Sequence, residues 1–211
     1  MNYDIYLVGV GGQGVLTIGD LITEAAMRRG LPVNFYPTKG MAQRGGFVKA
    51  QVRLGRETVG PHIPEKGADL VIAMELSEAL KAVRFVKPGK DFVLFAHVWQ
   101  PSAVMLGQAS YPSLDEVREQ IQKAGSTSSP QAGSTSSPQA GARLHILDPK
   151  ELPQYEGRPV PANVYILGAT LGRTPLGQLL DIGAVAQLIQ HRWKRGATRN
   201  ALAFQMGLGT S

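Results

Sequence analysis

Hydrophobic positions along this chain follow two periods, and the switch between them sets out its elements. The runs "YDIYLVGV", "ADLVIAM" and "DFVLFAHV" are almost continuously apolar and rich in β-branched residues. Each is followed by turn or helix signals, so they read as strands buried on both faces and therefore parallel. Over 15–29 the spacing changes: Leu16, Leu21, Ile22, Ala25 and Ala26 recur at helical intervals and the run closes on Gly30. With "PVNFYP" following, this predicts a strand–glycine turn–helix–strand unit. "FVKAQVRLGRETVG" instead sets Val48, Ala50, Val52 and Leu54 in alternation with Lys49, Gln51 and Arg53. That is the period of a strand with one wet or interface-facing side, and it predicts an antiparallel excursion.

Helices are predicted at 75–86, closed by Lys87, Pro88 and Gly89, and at 113–123, where Ser113 and Glu116 form a capping box. "ARLHILD" predicts a further strand, and 163–171, 178–194 and 197–206 read as helices. Before them stands a literal tandem repeat, "GSTSSPQA" at 125–132 and again at 133–140. Its Ser, Thr, Pro and Gly content buries no apolar surface, so it reads as a flexible surface loop. The expected fold is α/β: a Rossmann-like sheet, mostly parallel with an antiparallel excursion, helices on both faces and a helical C-terminus, forming one domain over 1–211.

Composition narrows the class. With 211 residues, 43% of them hydrophobic, the chain can build one sizeable core. No apolar run approaches the roughly 20 residues that span a bilayer, and the N-terminus lacks a signal-peptide pattern, which predicts a cytoplasmic protein with no membrane contact. The absence of cysteine excludes disulfides, a catalytic thiol and thiolate-held zinc or iron–sulfur clusters. A net charge of +6 suits an anionic partner. The basic run "HRWKRGATRN" reads as a solvated helix end or a contact with an acidic partner surface, and no nucleic-acid recognition motif accompanies it. The four histidines show no metal-ligand spacing, and His97, ending a predicted strand, is the best placed of them to meet a ligand. No nucleophile elbow or P-loop appears, so neither catalytic residues nor metal ligands are expected from this chain itself.

Two glycine-rich stretches carry the candidate chemistry. "GVGGQG" contains G-x-G-x-x-G as Gly9, Gly11 and Gly14, with a strand before it and a helix after it. In a dinucleotide fold such glycines allow a tight turn and close approach to a pyrophosphate at the helix N-terminus. The fingerprint also needs an acidic residue at the end of the second strand, and Asn34, Phe35, Tyr36 and Pro37 stand there instead. Attention therefore moves to Gly12 and Gln13, which make an open turn with both donor and acceptor capability. "KGMAQRGG", residues 39–46, supplies a cation, an amide, a guanidinium and three glycines where a doubly wound sheet opens its carboxyl-end crevice. Gln43 and Arg44 could share that crevice with Gln13 around an anionic or carbonyl-bearing ligand. Purely structural roles for both stretches stay open.

"GVGGQGVLT", "KGMAQRGG", "IPEKGADLVIAMELSEAL" and "NVYILGA", in that order, resemble the gamma-type subunit of 2-oxoacid:ferredoxin oxidoreductases. Within that group the chain is most similar to the small subunit of indolepyruvate-type and related aryl 2-oxoacid enzymes, such as the phenylglyoxylate dehydrogenase gamma subunit. The resemblance covers most of the chain and omits the duplicated loop. It implies a subunit of an enzyme that converts a 2-oxo acid and coenzyme A to acyl-CoA, CO2 and two electrons. Thiamine diphosphate, Mg²⁺ and the iron–sulfur clusters would sit in partner subunits, with ferredoxin or a flavin/NAD-linked subunit as electron acceptor. Carried onto this sequence, the implied cofactor-contacting residues are Gly11, Gly12, Gln13, Gly14, Met41, Gln43, Arg44, Gly45, Gly46 and Asn163. Lys39, Arg44 or Arg53 would suit coenzyme A phosphates on charge alone. A stand-alone NAD(P)-binding oxidoreductase and a non-catalytic scaffold module are the alternatives.

Overall fold

The computed structural model describes residues 1–39, 45–124 and 141–209. Met41, Gln43, Arg44 and the duplicated loop lie outside them. Six strands form one sheet in the order β2-β3-β1-β4-β5-β6: β1 Tyr3–Val10, β2 Val33–Lys39, β3 Phe47–Leu54, β4 Ala68–Ala73, β5 Val86–Phe95 and β6 Arg143–Leu147. β1, β4, β5 and β6 pair in parallel, while β3 runs antiparallel to both its neighbours. The antiparallel excursion is thus a single strand inserted between β1 and β2. A two-residue ribbon, β7 Gln154–Tyr155 with β8 Arg158–Pro159, stands apart.

Alternate residues of the parallel strands feed two separate cores, as a sheet covered on both faces requires. Ile5, Leu7, Leu70, Ile72, Val93 and Phe95 pack with α1 Val15–Arg28, α5 Ala162–Arg173, α6 Leu176–Leu179, α7 Ile182–Arg192 and α8 Ala197–Leu208. Tyr6, Val8, Val71, Ala73, Phe92 and Leu94 pack with α2 Leu76–Ala82 and α4 Leu114–Ala124. A short helix, α3 Ser102–Met105, lies in the connection from β5 to α4. The Ser113–Glu116 capping box forms as expected at the start of α4. The helix expected over 178–194 is broken in two: Asp181 caps α7 by accepting from the Ala184 N–H, so α6 ends before it.

One expectation is corrected. The polar side of β3 is not wet at Gln51 and Arg53, because residues 55–64 fold over them, while Lys49 stays half-buried. Gln51 accepts from the Ile63 N–H, Tyr36 donates to the Val59 carbonyl, and Asn34 donates to the Arg56 carbonyl. Arg53 is 5% exposed. Its Nε and Nη2 grip Asp4, and its Nη1 donates to the Gly60 and His62 carbonyls. Buried, with four of its five N–H groups engaged within the protein, this guanidinium is out of reach of a phosphate, so Arg53 leaves the set of ligand candidates.

Arg53 belongs to a belt of ion pairs along the edge where the parallel strands begin. Asp4, Asp69 and Asp91, in β1, β4 and β5, are all buried. Asp4 pairs with Arg53 and Arg56, Asp69 with Lys87 and Lys90, and Asp91 with Arg143 and His145. Asp69 also accepts from the Asp4 backbone N–H, tying β1 to β4. Burial works against the charge on Asp91, but hydrogen bonds from His145 and Arg143, with their charges, hold its carboxyl below the usual aspartate range.

Candidate functional site

At the opposite edge, where the parallel strands end, three remote parts of the chain meet. β1 delivers the glycine loop. A Cβ at Gly9 would sit 2.7 Å from Gln13 Oε1 and 2.8 Å from a Val15 methyl, so only glycine lets the loop fold back on the strand. Gln13 fills that space: its Oε1 accepts from the Val10 N–H at 2.9 Å and its Nε2 donates to the Met74 carbonyl at 2.9 Å. The amide is thereby a strut between the loop and the end of β4, with one N–H and one lone pair left over.

Gly12 is exposed with φ +100°, and nothing lies within 4 Å of where its Cβ would be. It is the open lip of the loop. Gly14, φ +83°, caps α1. The space beside it is taken by Asn163 from the first turn of α5, whose Nδ2 would stand 2.5 Å from a Cβ there. Gly11 donates its N–H to the Gly46 carbonyl at 2.8 Å, docking the second glycine stretch on the first. The structure therefore brings together Gly11, Gly12, Gln13, Gly14, Gly45, Gly46 and Asn163. Lys39 ends β2, paired with Val48 across the sheet.

The N-terminus of α1 opens into this site with no side-chain cap and no acidic residue in its first turn. Its unpaired N–H groups and positive dipole end suit an anion. The dinucleotide alternative loses its geometry here. The ribose acid of that fold sits on the strand beside β1, a place held by β3, and β2 lies two strands away and ends on Lys39.

Three residues that the sequence did not single out complete the wall. Glu75, two residues beyond β4, is fully buried and caps α2, accepting from the Glu78 N–H and the Ser77 hydroxyl through Oε2. Its Oε1 accepts from the Trp99 N–H and from the Tyr111 hydroxyl. Burial, then the hydrogen bond and charge of Glu75, push the Tyr111 phenol far above its ordinary pKa. Trp99 lies against the second glycine stretch, its Nε1 3.0 Å from where a Gly45 Cβ would be. His97 lies two residues beyond β5; its carbonyl accepts from the Leu76 N–H and its ring stacks on Phe95.

Among the described residues, no group of three or more His, Asp or Glu side chains could hold a metal ion. With no cysteine, the chain has no thiolate to hold an iron–sulfur cluster. No helix of the described residues is long and apolar enough to cross a membrane.

Comparison with known proteins agrees with this architecture. The chain is 46% identical over 123 residues to the indolepyruvate oxidoreductase subunit IorB of Archaeoglobus fulgidus, covering 58% of this chain and 61% of that protein. It is 34% identical over 174 residues to the subunit of the same name from Thermococcus kodakarensis, covering 82% and 78%. Among solved structures, the pyruvate oxidoreductase subunit PORC of Thermotoga maritima superposes with a TM-score of 0.65 at 19% identity, over 99% of this chain and 96% of that one. A 2-oxoglutarate:ferredoxin oxidoreductase from Magnetococcus marinus, with 2-oxoglutarate, coenzyme A and succinyl-CoA bound, gives 0.57 at 19% identity; this chain covers 31% of it. The same fold is thus one part of a longer polypeptide there. The model of the pyruvate ferredoxin/flavodoxin oxidoreductase family matches residues 4–210, and the chain belongs to that family.

Proposed function

We propose that this chain is the small subunit of a multi-subunit 2-oxoacid oxidoreductase and that its glycine-loop edge completes an active site shared with other chains. The reaction is oxidative decarboxylation of a 2-oxo acid with coenzyme A to acyl-CoA, CO2 and two electrons. Relatives named indolepyruvate oxidoreductase favour an aryl 2-oxo acid. The observation that carries this reading is the convergence of Gly11–Gly14, Gly45–Gly46 and Asn163 around an uncapped helix N-terminus.

Thiamine diphosphate and iron–sulfur clusters, held by partner subunits, supply carbanion stabilisation and electron acceptance. This chain's own part is positioning. The α1 amides and the Gly12 lip receive an anionic group, for which coenzyme A's phosphates are the candidate, and Asn163 presents an amide beside them. Gln13 keeps the loop in register with β4.

The test is reconstitution of the full chain with its partner subunits, comparing wild type with Asn163→Ala and Arg44→Ala. A KM for coenzyme A or the 2-oxo acid raised about tenfold, the loss of one charge-assisted hydrogen bond, supports the reading. Unchanged KM and turnover in an intact complex would refute it in favour of a scaffold role.

A further inference from the structure

The connection from β5 to α4 is unlike the rest of the surface. From Phe92 to Leu114 there is no Asp, Glu, Lys or Arg, in a chain that is 18% charged. Yet Val98, Trp99, Met105 and Leu106 are 50%, 45%, 68% and 70% exposed. The segment's two ends converge on one buried atom. Glu75 Oε1 accepts from the Trp99 N–H at 3.2 Å and from the Tyr111 hydroxyl, and the Trp99 N–H also reaches that hydroxyl at 3.3 Å. A carboxylate that is 0% exposed is costly to bury, and here four donors compensate it, two from the first turn of α2 and one from each end of the connection.

Where this latch sits gives it meaning. Glu75 follows Met74, whose carbonyl holds Gln13 of the glycine loop. On its other side Leu76 donates to the His97 carbonyl. One stretch, residues 74–76, thus fixes the glycine loop and the start of the 97–111 connection relative to each other. The Trp99 indole, delivered by that connection, lies against Gly45, next to the Gly46 that accepts from Gly11.

We propose that Glu75 is a positioning residue for the glycine-loop site: by closing the 99–111 connection at both ends it sets Trp99 as the site's aromatic wall, against which a flat group of the bound molecule stacks. This rests on the reading that the glycine-loop edge lines a shared active site. Indole is suited to the task, offering a broad rigid face at low entropic cost.

The experiment uses the full chain reconstituted with its partner subunits, with Trp99→Ala, Glu75→Gln, Tyr111→Phe and the double variant Glu75→Gln/Trp99→Ala, complex assembly being verified by mass. Trp99→Ala should raise one KM, that of the 2-oxo acid or of coenzyme A, by about five- to tenfold, the worth of one aromatic stack, at little change in kcat. Glu75→Gln and Tyr111→Phe should raise the same KM by a smaller factor. In the Trp99→Ala background Glu75→Gln should add less than about twofold, since its effect acts through the indole. In free chain carrying Trp193→Phe, Trp99 emission should shift to the red and quench more readily in both latch variants.

Unchanged KM values for Trp99→Ala in an intact complex would overturn the proposal, as would a Glu75→Gln effect of equal size with and without Trp99. If Trp99→Ala abolishes assembly, the indole is a subunit contact and the proposal fails. Asn163→Ala, measured alongside, separates the cases. If it raises KM while Trp99→Ala does not, the aromatic wall alone falls; if neither does, the shared-site reading falls with it.

Discussion

Gly168→Ala should destabilise the protein although it replaces a poor helix former with the best one. Gly168 lies mid-way along α5, where its backbone meets that of α8. A Cβ there would stand 2.3 Å from the Phe204 carbonyl oxygen, 3.1 Å from the Leu208 nitrogen and 3.2 Å from Gly207 Cα. All three obstacles are backbone, so no rotamer change relieves them. Reaching ordinary contact requires the helices to part by about 1 Å, and a gap of that size forfeits a quarter to a half of each dispersion contact along the seam. Overpacking of this kind costs about 1–3 kcal/mol, to which the loosened seam around the buried Leu167 and Phe204 adds. Against this, Gly to Ala in a helix returns about 1 kcal/mol. The expected net loss is about 2 kcal/mol, or a Tm lowered by roughly 4–8 °C for a domain of this size. Urea unfolding followed by far-UV circular dichroism measures it. Gly183→Ala is the control: its Cβ would meet only the Asp181 carboxylate, at 3.2 Å, so it should be neutral or stabilising. Equal outcomes for the two variants, or a Gly168→Ala protein as stable as wild type, would refute the backbone-contact reasoning.

Arg53→Ala should cost about 3–5 kcal/mol in the same assay, because it leaves the Asp4 carboxylate buried with only the half-buried Arg56 beside it; a loss below 1 kcal/mol would mean that water enters freely. Asp91 sets an acid limb. With its folded pKa below the unfolded value, its contribution is complete above the ordinary aspartate range and is lost as pH falls through that range toward the folded value. Stability of Asp91→Asn should therefore fall less steeply below about pH 4 than that of wild type; parallel acid limbs would disprove the assignment. Tyr111, its pKa raised in the folded state, contributes stability that is complete below the ordinary tyrosine value and is lost as pH rises above it. Tyr111→Phe should flatten the stability profile above about pH 10, and an unaltered alkaline limb would show that the phenol ionises freely.

Runs such as "ADLVIAM" were legible because burial on both faces leaves an unbroken apolar stretch that little else produces. Strand order was not. Nothing in "FVKAQVRL" says that it pairs with β1 on one side and β2 on the other, since pairing depends on partners far along the chain. Its alternation correctly separated two faces, yet it could not say what covers the polar one. A loop offering backbone acceptors to Arg53 and a backbone donor to Gln51 took both out of water. The break at Asp181 had a signal in its capping side chain, masked by helical spacing on both sides. At the site, the glycine stretches and Asn163 carried motif information and were brought together. Glu75 lay within a resemblance motif without being singled out, while Trp99 and Tyr111 had none, and the three are joined only by the fold. The trace left by Trp99 and Tyr111 was the long uncharged interval between Asp91 and Asp115.

The seam between α5 and α8 also has a mechanical consequence. Asn163 stands in the first turn of α5, about 7.5 Å along the helix from Gly168. There, and again where Gly172 faces the Leu208 carbonyl and Gly207 faces the Tyr165 carbonyl, main chain rests directly on main chain. Such a joint has no side chains to act as bearings, so α5 cannot slide or roll by itself. Any displacement of Asn163 beyond its own rotamers must swing both helices as one rigid lever, drawing α7 along through its packing on α8. The stiffness with which Asn163 is held beside the glycine loop is accordingly set in part by α8, through backbone contacts further along α5.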